Sequence, residues 1–246
     1  MAIRRIIVES SFNEMRYHSD RLTQTWIDYR MEIFMRYTMQ SMKKQTNQEF
    51  LHVLKYDADS ADKIEIALSQ YEKLPANIRF VRFPDEYKKV LREYVTGSQE
   101  LYLVRIDSDN MYHYRYIDLL HSLTPDKQTE ALVNQHGFIL DAVNGRLAHF
   151  YARSPSFYTL IYDTEAFLQG HRYIFKTHND VIRLRHELLS SANFMVLVHE
   201  RNVSNMFDMR YRGELIENRR DIETTLKDFI GVDGWEAIKK CHNNVY

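Results

Sequence analysis

The sequence predicts an α/β fold, a mixed and mainly parallel sheet with helices on both faces. Three observations point there. Over residues 3–106, four β-branched or aromatic runs alternate with helical periodicities, the pattern of parallel strands joined by crossover helices. Beyond Tyr114 the runs are shorter and separated by turn residues, so the second half reads as more mixed. The apolar fraction of 44% and charged fraction of 27% are ordinary globular values, and 246 residues suffice to bury a real core.

Ile3–Val8 reads as the first strand because its apolar residues are β-branched. Ser19 or Asp20 is placed to cap a long helix from about Arg21 to Lys44, whose Leu22, Trp26, Tyr29, Ile33, Phe34, Tyr37 and Met42 recur at helical spacing. Phe50–Tyr56 is a second strand, ended by the turn and cap signal Asp57-Ala-Asp-Ser. Ala61–Leu74 is a helix closed by Pro75, and Ile78–Phe83 a third strand. Asp85–Val95 is a helix closed by Gly97, and Leu101–Ile106 a fourth strand. Then Glu130–Asn134 and Gly137–Asp141 read as antiparallel strands, Asn144-Gly145 as a hairpin turn before Arg146–Tyr151, and Asn193–His199 as a late strand. Leu215–Ile230 and Trp235–Cys241 read as closing helices. No linker, repeat or low-complexity tract divides the chain. We therefore expect one domain over 1–246, with a nucleotide-binding half over about 1–110 and an acceptor half over about 111–246.

Composition excludes several function classes. Thirty-three Lys plus Arg against 34 Asp plus Glu argues against a general binder of nucleic acid or anionic membrane. One cysteine excludes an internal disulfide or a Cys-cluster zinc site and fits a reducing compartment. The start Met-Ala-Ile-Arg-Arg lacks the apolar run of a signal peptide, and no stretch reaches the ~20 apolar residues of a membrane span. A cytoplasmic location is the expectation.

The sharpest chemical feature is LYLVRIDSDN, residues 101–110. It puts two carboxylates, Asp107 and Asp109, directly after a hydrophobic strand. In open α/β sheets, ligands bind at the carboxyl ends of strands. Two hard oxygen ligands on one turn can hold Mn²⁺ or Mg²⁺, and the metal in turn a diphosphate; the plainer alternative is a helix cap with a spare acid. A haloacid-dehalogenase phosphatase needs Thr or Val where Met111 stands, and carries its motif on the first strand. A sugar-nucleotide transferase of the GT-A type carries Asp-x-Asp at the end of the nucleotide-binding half, as here. Arg105 alternates onto the face of Asp107, where it can neutralise phosphate or form a structural salt bridge.

The stretch W-x3-R-x3-F-x3-T-x2-S-x3-Q-T-x3-F runs through Trp26, Arg30, Phe34, Thr38, Ser41, Gln45, Thr46 and Phe50. It is followed by RIDSDN, by GFILDAVNGRL at 137–147, by Ser154-Pro155-Ser156-Phe157 and by Val198-His199-Glu-Arg-Asn202-Val-Ser-Asn205. In order and spacing these resemble the bacterial rhamnosyltransferase family of GT-A-fold, family-two-like glycosyltransferases, over about residues 5–210. The resemblance implies a metal-dependent, inverting transfer of a sugar from a UDP- or dTDP-sugar to a glycan or other hydroxyl acceptor. It implies that Asp57 contacts the nucleoside, that His199 joins Asp107 and Asp109 on the metal, and that Arg201 reaches a phosphate oxygen. It also implies an acceptor-side base in Thr177-His178-Asn179-Asp180-Val-Ile-Arg183. There Asp180 is the candidate and His178 its rival, although Asn179 stands where such motifs usually carry an acid. To serve as base, Asp180 should be unpaired with Arg183 or Arg185. Tyr112, Tyr114 and Tyr116 line a sugar pocket or the core. Two other functions are weighed: a non-catalytic nucleotide-sugar or glycan-binding domain, and a sugar nucleotidyltransferase, which needs a Gly-rich basic loop that Glu9-Ser-Ser-Phe-Asn-Glu does not provide.

Overall fold

A computed structural model describes residues 3–15, 18–202, 206–207 and 212–241. The first β-branched run forms β1 (Arg4–Ser11), which outlasts its apolar residues because Ser10 and Ser11 still pair with Leu54 and Lys55 of β2 (Leu51–Asp57). Between them runs a continuous rod made of α1 (Gln24–Ile33), one π-type turn (Phe34–Thr38) and α2 (Met39–Lys43). Its cap is Thr23, whose hydroxyl accepts the Trp26 N–H at 3.3 Å, and not Ser19 or Asp20; Asp20 supplies a carbonyl to Thr23 instead. Next come α3 (Ala61–Leu68), β3 (Ile78–Phe83), α4 (Asp85–Val95) and β4 (Glu100–Arg105). The α3 helix stops short of Leu74, with the Ser69 hydroxyl bonded back to the Ile66 carbonyl.

The second half holds β5 (Met111–Tyr112), α5 (Tyr116–Ser122), β6 (Ala131–Asn134), β7 (His136–Asp141), β8 (Arg146–Tyr151) and β9 (Tyr158–Asp163). It continues with α6 (Thr164–Leu168), a 3-10 turn (His178–Arg183), β10 (His186–Leu189), β11 (Phe194–Val198), β12 (Arg212–Ile216) and α7 (Arg219–Cys241).

A seven-stranded sheet has the order β10-β6-β9-β4-β1-β2-β3, with β3, β2, β1 and β4 parallel and β9 antiparallel to both its neighbours. A five-stranded sheet, β12-β8-β7-β11-β5, contains one parallel pair, β7 with β11. This is the mixed α/β arrangement that the sequence predicts, with three corrections. The two runs at 130–141 do not pair with each other: β6 joins the large sheet and β7 the small one. Leu215 lies in β12, not in a helix, so the first closing helix begins at Arg219; the two closing helices meet at Gly231, whose φ of 78° breaks the helical backbone between them. The strands β9 and β10 go unpredicted, although Ser154-Pro155-Ser156 precedes the first and Ser190-Ser191 follows the second.

Strand alternation sorts the core. Ile6, Val8, Leu54, Tyr102 and Val104 pack against α1, α2, α3 and α5. Ile7, Leu51, Val53, Leu101 and Leu103 face the other way, toward α4, α6 and the 3-10 turn. The small sheet packs Leu140, Leu147, Met195 and Leu197 on α7 through Leu226, Phe229 and Trp235. Gly137 is where the small sheet's strands approach closely, since a Cβ there would lie 2.5 Å from the Phe194 carbonyl oxygen. No helix among the described residues is long and apolar enough to cross a membrane.

Candidate active site

Strand β4 ends at Arg105, and just beyond it the Asp107 carbonyl accepts the Asn110 N–H at 3.1 Å, folding residues 107–110 into a turn. That turn is anchored to the small sheet, where the Leu197 N–H donates to Asn110 Oδ1 at 2.9 Å. The S-x3-Q stretch has a structural purpose beside it. Ser41 Oγ donates to the Tyr112 carbonyl at 2.7 Å and accepts its N–H at 2.9 Å. Gln45 reaches the His113 carbonyl at 2.9 Å and the Ile117 N–H at 3.0 Å. Ser41 and Gln45 thus fix the long helix to the segment that follows the acidic turn. Tyr112 and Tyr116 are fully buried and stacked at 3.9 Å, so these two belong to the core.

Beside the turn lies a cavity of ≈ 190 Å³ at the C-terminal ends of β1, β2 and β4, where a parallel sheet receives ligands. Its lining includes Glu9, Lys55, Arg105, Asp107 and Tyr158. Arg105 Nη2 donates to Asp107 Oδ1 at 2.8 Å, and Nη1 to the Ser156 carbonyl at 2.8 Å. Both charged side chains are 35% exposed, so they are paired yet open to a solute. Lys55 stands between Glu9 and Glu14 at 4.0 and 3.8 Å, and Tyr87 donates to Glu9. Burial pushes the Glu14 carboxyl above its usual range, against the pull of Lys55.

Asp109 takes the other side of the turn and is buried. Its Oδ2 accepts from Arg30 Nη1 at 3.0 Å and lies 3.4 Å from His199 Nε2. Arg30 Nη2 donates to Ser108 Oγ at 2.7 Å. Burial pushes the Asp109 carboxyl up, but Arg30 and the His199 hydrogen bond more than offset this and hold it at about 2. His199 Nδ1 lies 2.8 Å from Tyr29 Oη and accepts the Arg201 N–H at 3.3 Å, while Nε2 lies 3.4 Å from both Asp109 Oδ2 and Arg30 Nη1. The Arg201 guanidinium stacks on Tyr29 at 4.6 Å.

His199 therefore does lie beside the acidic turn, within reach of Asp109. The three expected metal ligands, however, do not fit a divalent ion as they stand. Asp107 faces Arg105, and Asp109 Oδ2 faces Arg30, whose Nη1 also lies 3.4 Å from His199 Nε2. Asp109 Oδ1 is buried without a partner, an atom that a cation can satisfy. Yet among the described residues no three His, Cys, Asp or Glu side chains converge on one point.

The remaining candidates divide. Asp57 sits at the end of β2 on the same edge, but its Oδ2 pairs with Arg21 at 2.7 Å and its Oδ1 caps the next turn through the Asp59 N–H at 3.1 Å. Asp180 does not meet the condition set for it. Its carboxylate closes a capping box, accepting the Thr177 N–H at 3.3 Å, and pairs with Arg183 at 3.2 Å. His178, at the start of the same turn, lies on the surface with its ring partly desolvated and feels both Arg105 and Asp107. Burial and the Arg105 guanidinium push its imidazole below the usual range. Asn205 lies outside the described residues.

Sequence reasoning named Arg30 within a motif but gave it no role, and it passed over Glu9, Lys55 and Tyr158. The available signal was a charged residue at the end of an otherwise buried strand, as in Ile-Ile-Val-Glu9 and His-Val-Leu-Lys55.

No family model matches the chain, and no curated protein does. Among solved structures, S. aureus TarS 1-349 in complex with UDP is 14% identical with a TM-score of 0.44, over 80% of this chain and 60% of that one. The 4-diphosphocytidyl-2C-methyl-D-erythritol synthase of Anaerococcus prevotii DSM 20548 is 11% identical with a TM-score of 0.39, over 91% of this chain and 95% of that one. The chain thus spans 60% of the length of the TarS structure. No residue role is transferred from either protein.

Proposed function

We propose that this chain is a glycosyltransferase that moves a sugar from a nucleoside-diphosphate sugar, a UDP- or dTDP-sugar, to an acceptor hydroxyl with inversion. The observation that supports it is the Asp107–Arg105 pair, half-exposed beside a cavity at the C-terminal edge of β1, β2 and β4. A guanidinium is suited to phosphate oxygens through its fork of donors, and Asp107 holds that fork in place. In the proposed reaction the acceptor oxygen attacks the anomeric carbon as the bond to the diphosphate breaks. The nucleoside diphosphate leaves with the bonding pair, and its negative charge falls to Arg105. A base takes the acceptor proton. Of the two candidates, His178 is the better placed, since partial desolvation and the Arg105 guanidinium push its imidazole below the usual range, whereas Asp180 is tied to Thr177 and Arg183.

The test is a calorimetric panel of UDP, dTDP and GDP, followed by product analysis with the sugar nucleotides of whichever base binds. Binding of one nucleoside diphosphate and release of it from its sugar form is the expected result. Binding without turnover by any acceptor class would favour a non-catalytic nucleotide-sugar domain. Release of pyrophosphate from a nucleoside triphosphate would favour a nucleotidyltransferase.

A further inference from the structure

Each carboxylate of the Asp107–Asp109 turn is already matched by an arginine of the same chain. Arg105 pairs with Asp107 at 2.8 Å, and Arg30 pairs with Asp109 at 3.0 Å. The Arg30 fork is also bonded to Ser108 Oγ at 2.7 Å, so a single side chain from α1 clasps two of the three residues from Asp107 to Asp109. Both members of the inner pair are well buried, with 13% and 9% of their side chains exposed. The two acids and two arginines sum to zero charge.

That sum has opposite consequences for a cation and an anion. An unpaired Asp-x-Asp turn repels a diphosphate and needs a divalent ion between them. Here the repulsion is cancelled before any ion arrives. A divalent ion, in contrast, meets no net negative charge and two fixed guanidinium groups. It could reach only Asp109 Oδ1, which has no protein partner, and no set of three His, Cys, Asp or Glu side chains among the described residues converges to complete its coordination.

We propose that this acidic turn carries its own cations, so that nucleoside diphosphate binds without metal: Arg30 holds the place on Asp109 that a divalent ion would take, and Arg105 presents the positive charge to the diphosphate. The inference rests on the nucleotide-sugar reading of the same turn, and its test separates the two. In the first arm, the full chain is titrated into Mn²⁺ without nucleotide, and the free-ion signal is followed by electron paramagnetic resonance. An undiminished signal is expected. Stoichiometric loss of signal that Asp109→Asn abolishes would overturn the inference and leave the nucleotide reading untouched. In the second arm, UDP and dTDP are titrated by calorimetry in excess EDTA and in excess Mn²⁺. Dissociation constants agreeing within about threefold are expected, a difference well below 1.4 kcal/mol. Binding seen only with Mn²⁺ would overturn the inference alone, whereas no binding in either buffer would overturn the nucleotide reading and the inference with it. A third arm uses Arg30→Gln, folded as judged by circular dichroism. Removing the guanidinium should make Mn²⁺ capture appear, and a folded variant that still ignores Mn²⁺ would overturn the assignment of Arg30. If the variant does not fold, the first two arms decide.

Discussion

Removing the guanidinium of Arg30 should be among the most damaging single changes in the chain. Arg30→Met keeps much of the side chain's length but deletes the guanidinium, which faces Asp109 and lies 5.7 Å over the Trp26 ring. With both side chains largely buried, Asp109 would be left as an uncompensated carboxylate. Losing one partner of a buried ion pair costs roughly 3–5 kcal/mol. For a chain of this size each kcal/mol moves the melting midpoint by about 2–4 °C, so a drop of roughly 6–20 °C is expected. Because the penalty belongs to the orphaned charge, Asp109→Asn should relieve it, and the double variant should lose clearly less than the sum of the two single ones. The assay is urea unfolding followed by circular dichroism, in EDTA, for the four members of the cycle. Arg30→Met within about 1 kcal/mol of wild type, or strictly additive losses, would refute the view that this pair is a fixed structural unit.

Further outcomes are expected elsewhere. His52 is fully buried with its Nε2 on Ser10 Oγ at 2.8 Å, and burial pushes it down to about 3. Unfolded chains bind its proton below ~6.5 and the folded chain does not until about 3, so stability should fall as pH drops through that window, by up to about 1.4 kcal/mol per unit. His52→Gln should flatten that slope by one proton in urea midpoints measured from pH 7 to pH 4; an unchanged slope would contradict it. Gly137→Ala places a Cβ 2.5 Å from a backbone oxygen and should cost about 1–3 kcal/mol or more by thermal unfolding; a neutral effect would show that the β7–β11 approach is looser than described. Asp180→Ala should cost only its cap, about 1 kcal/mol, and leave sugar transfer measurable, whereas His178→Ala should lower transfer about a hundredfold with donor binding kept. The reverse pattern in product assays would return the base to Asp180.

What the sequence made legible was the parallel half and its acidic turn. The four runs from Ile3 to Ile106 are bounded by Pro, Gly and Asp, and apolar alternation locates β3 and α4 to the residue. The turn was found because two acids follow directly on a buried strand. What escaped was long-range. Nothing local in Ala131–Asn134 or His136–Asp141 says that one residue apart they enter different sheets; that follows from β9 folding back between β4 and β6. The pairing of Arg30 with Asp109 spans 79 residues, and that of His199 with Asp109 spans 90, so spacing alone could not give them. Asp180 shows the converse: an acid in a first helical turn is a base candidate by resemblance, yet Thr177-x-x-Asp180 is also a local capping signal, and the structure forms that cap.

The most direct measurement is a crystal structure of the full chain with the nucleoside diphosphate that binds best. The diphosphate should lie at the C-terminal edge of β1, β2 and β4, with a phosphate oxygen within hydrogen-bond distance of Arg105 and with Asp107 still holding the guanidinium. A nucleotide seated elsewhere, such as the cavity between His113, Asn193 and Asp228, with the Arg105–Asp107 pair untouched, would contradict the assignment of this site.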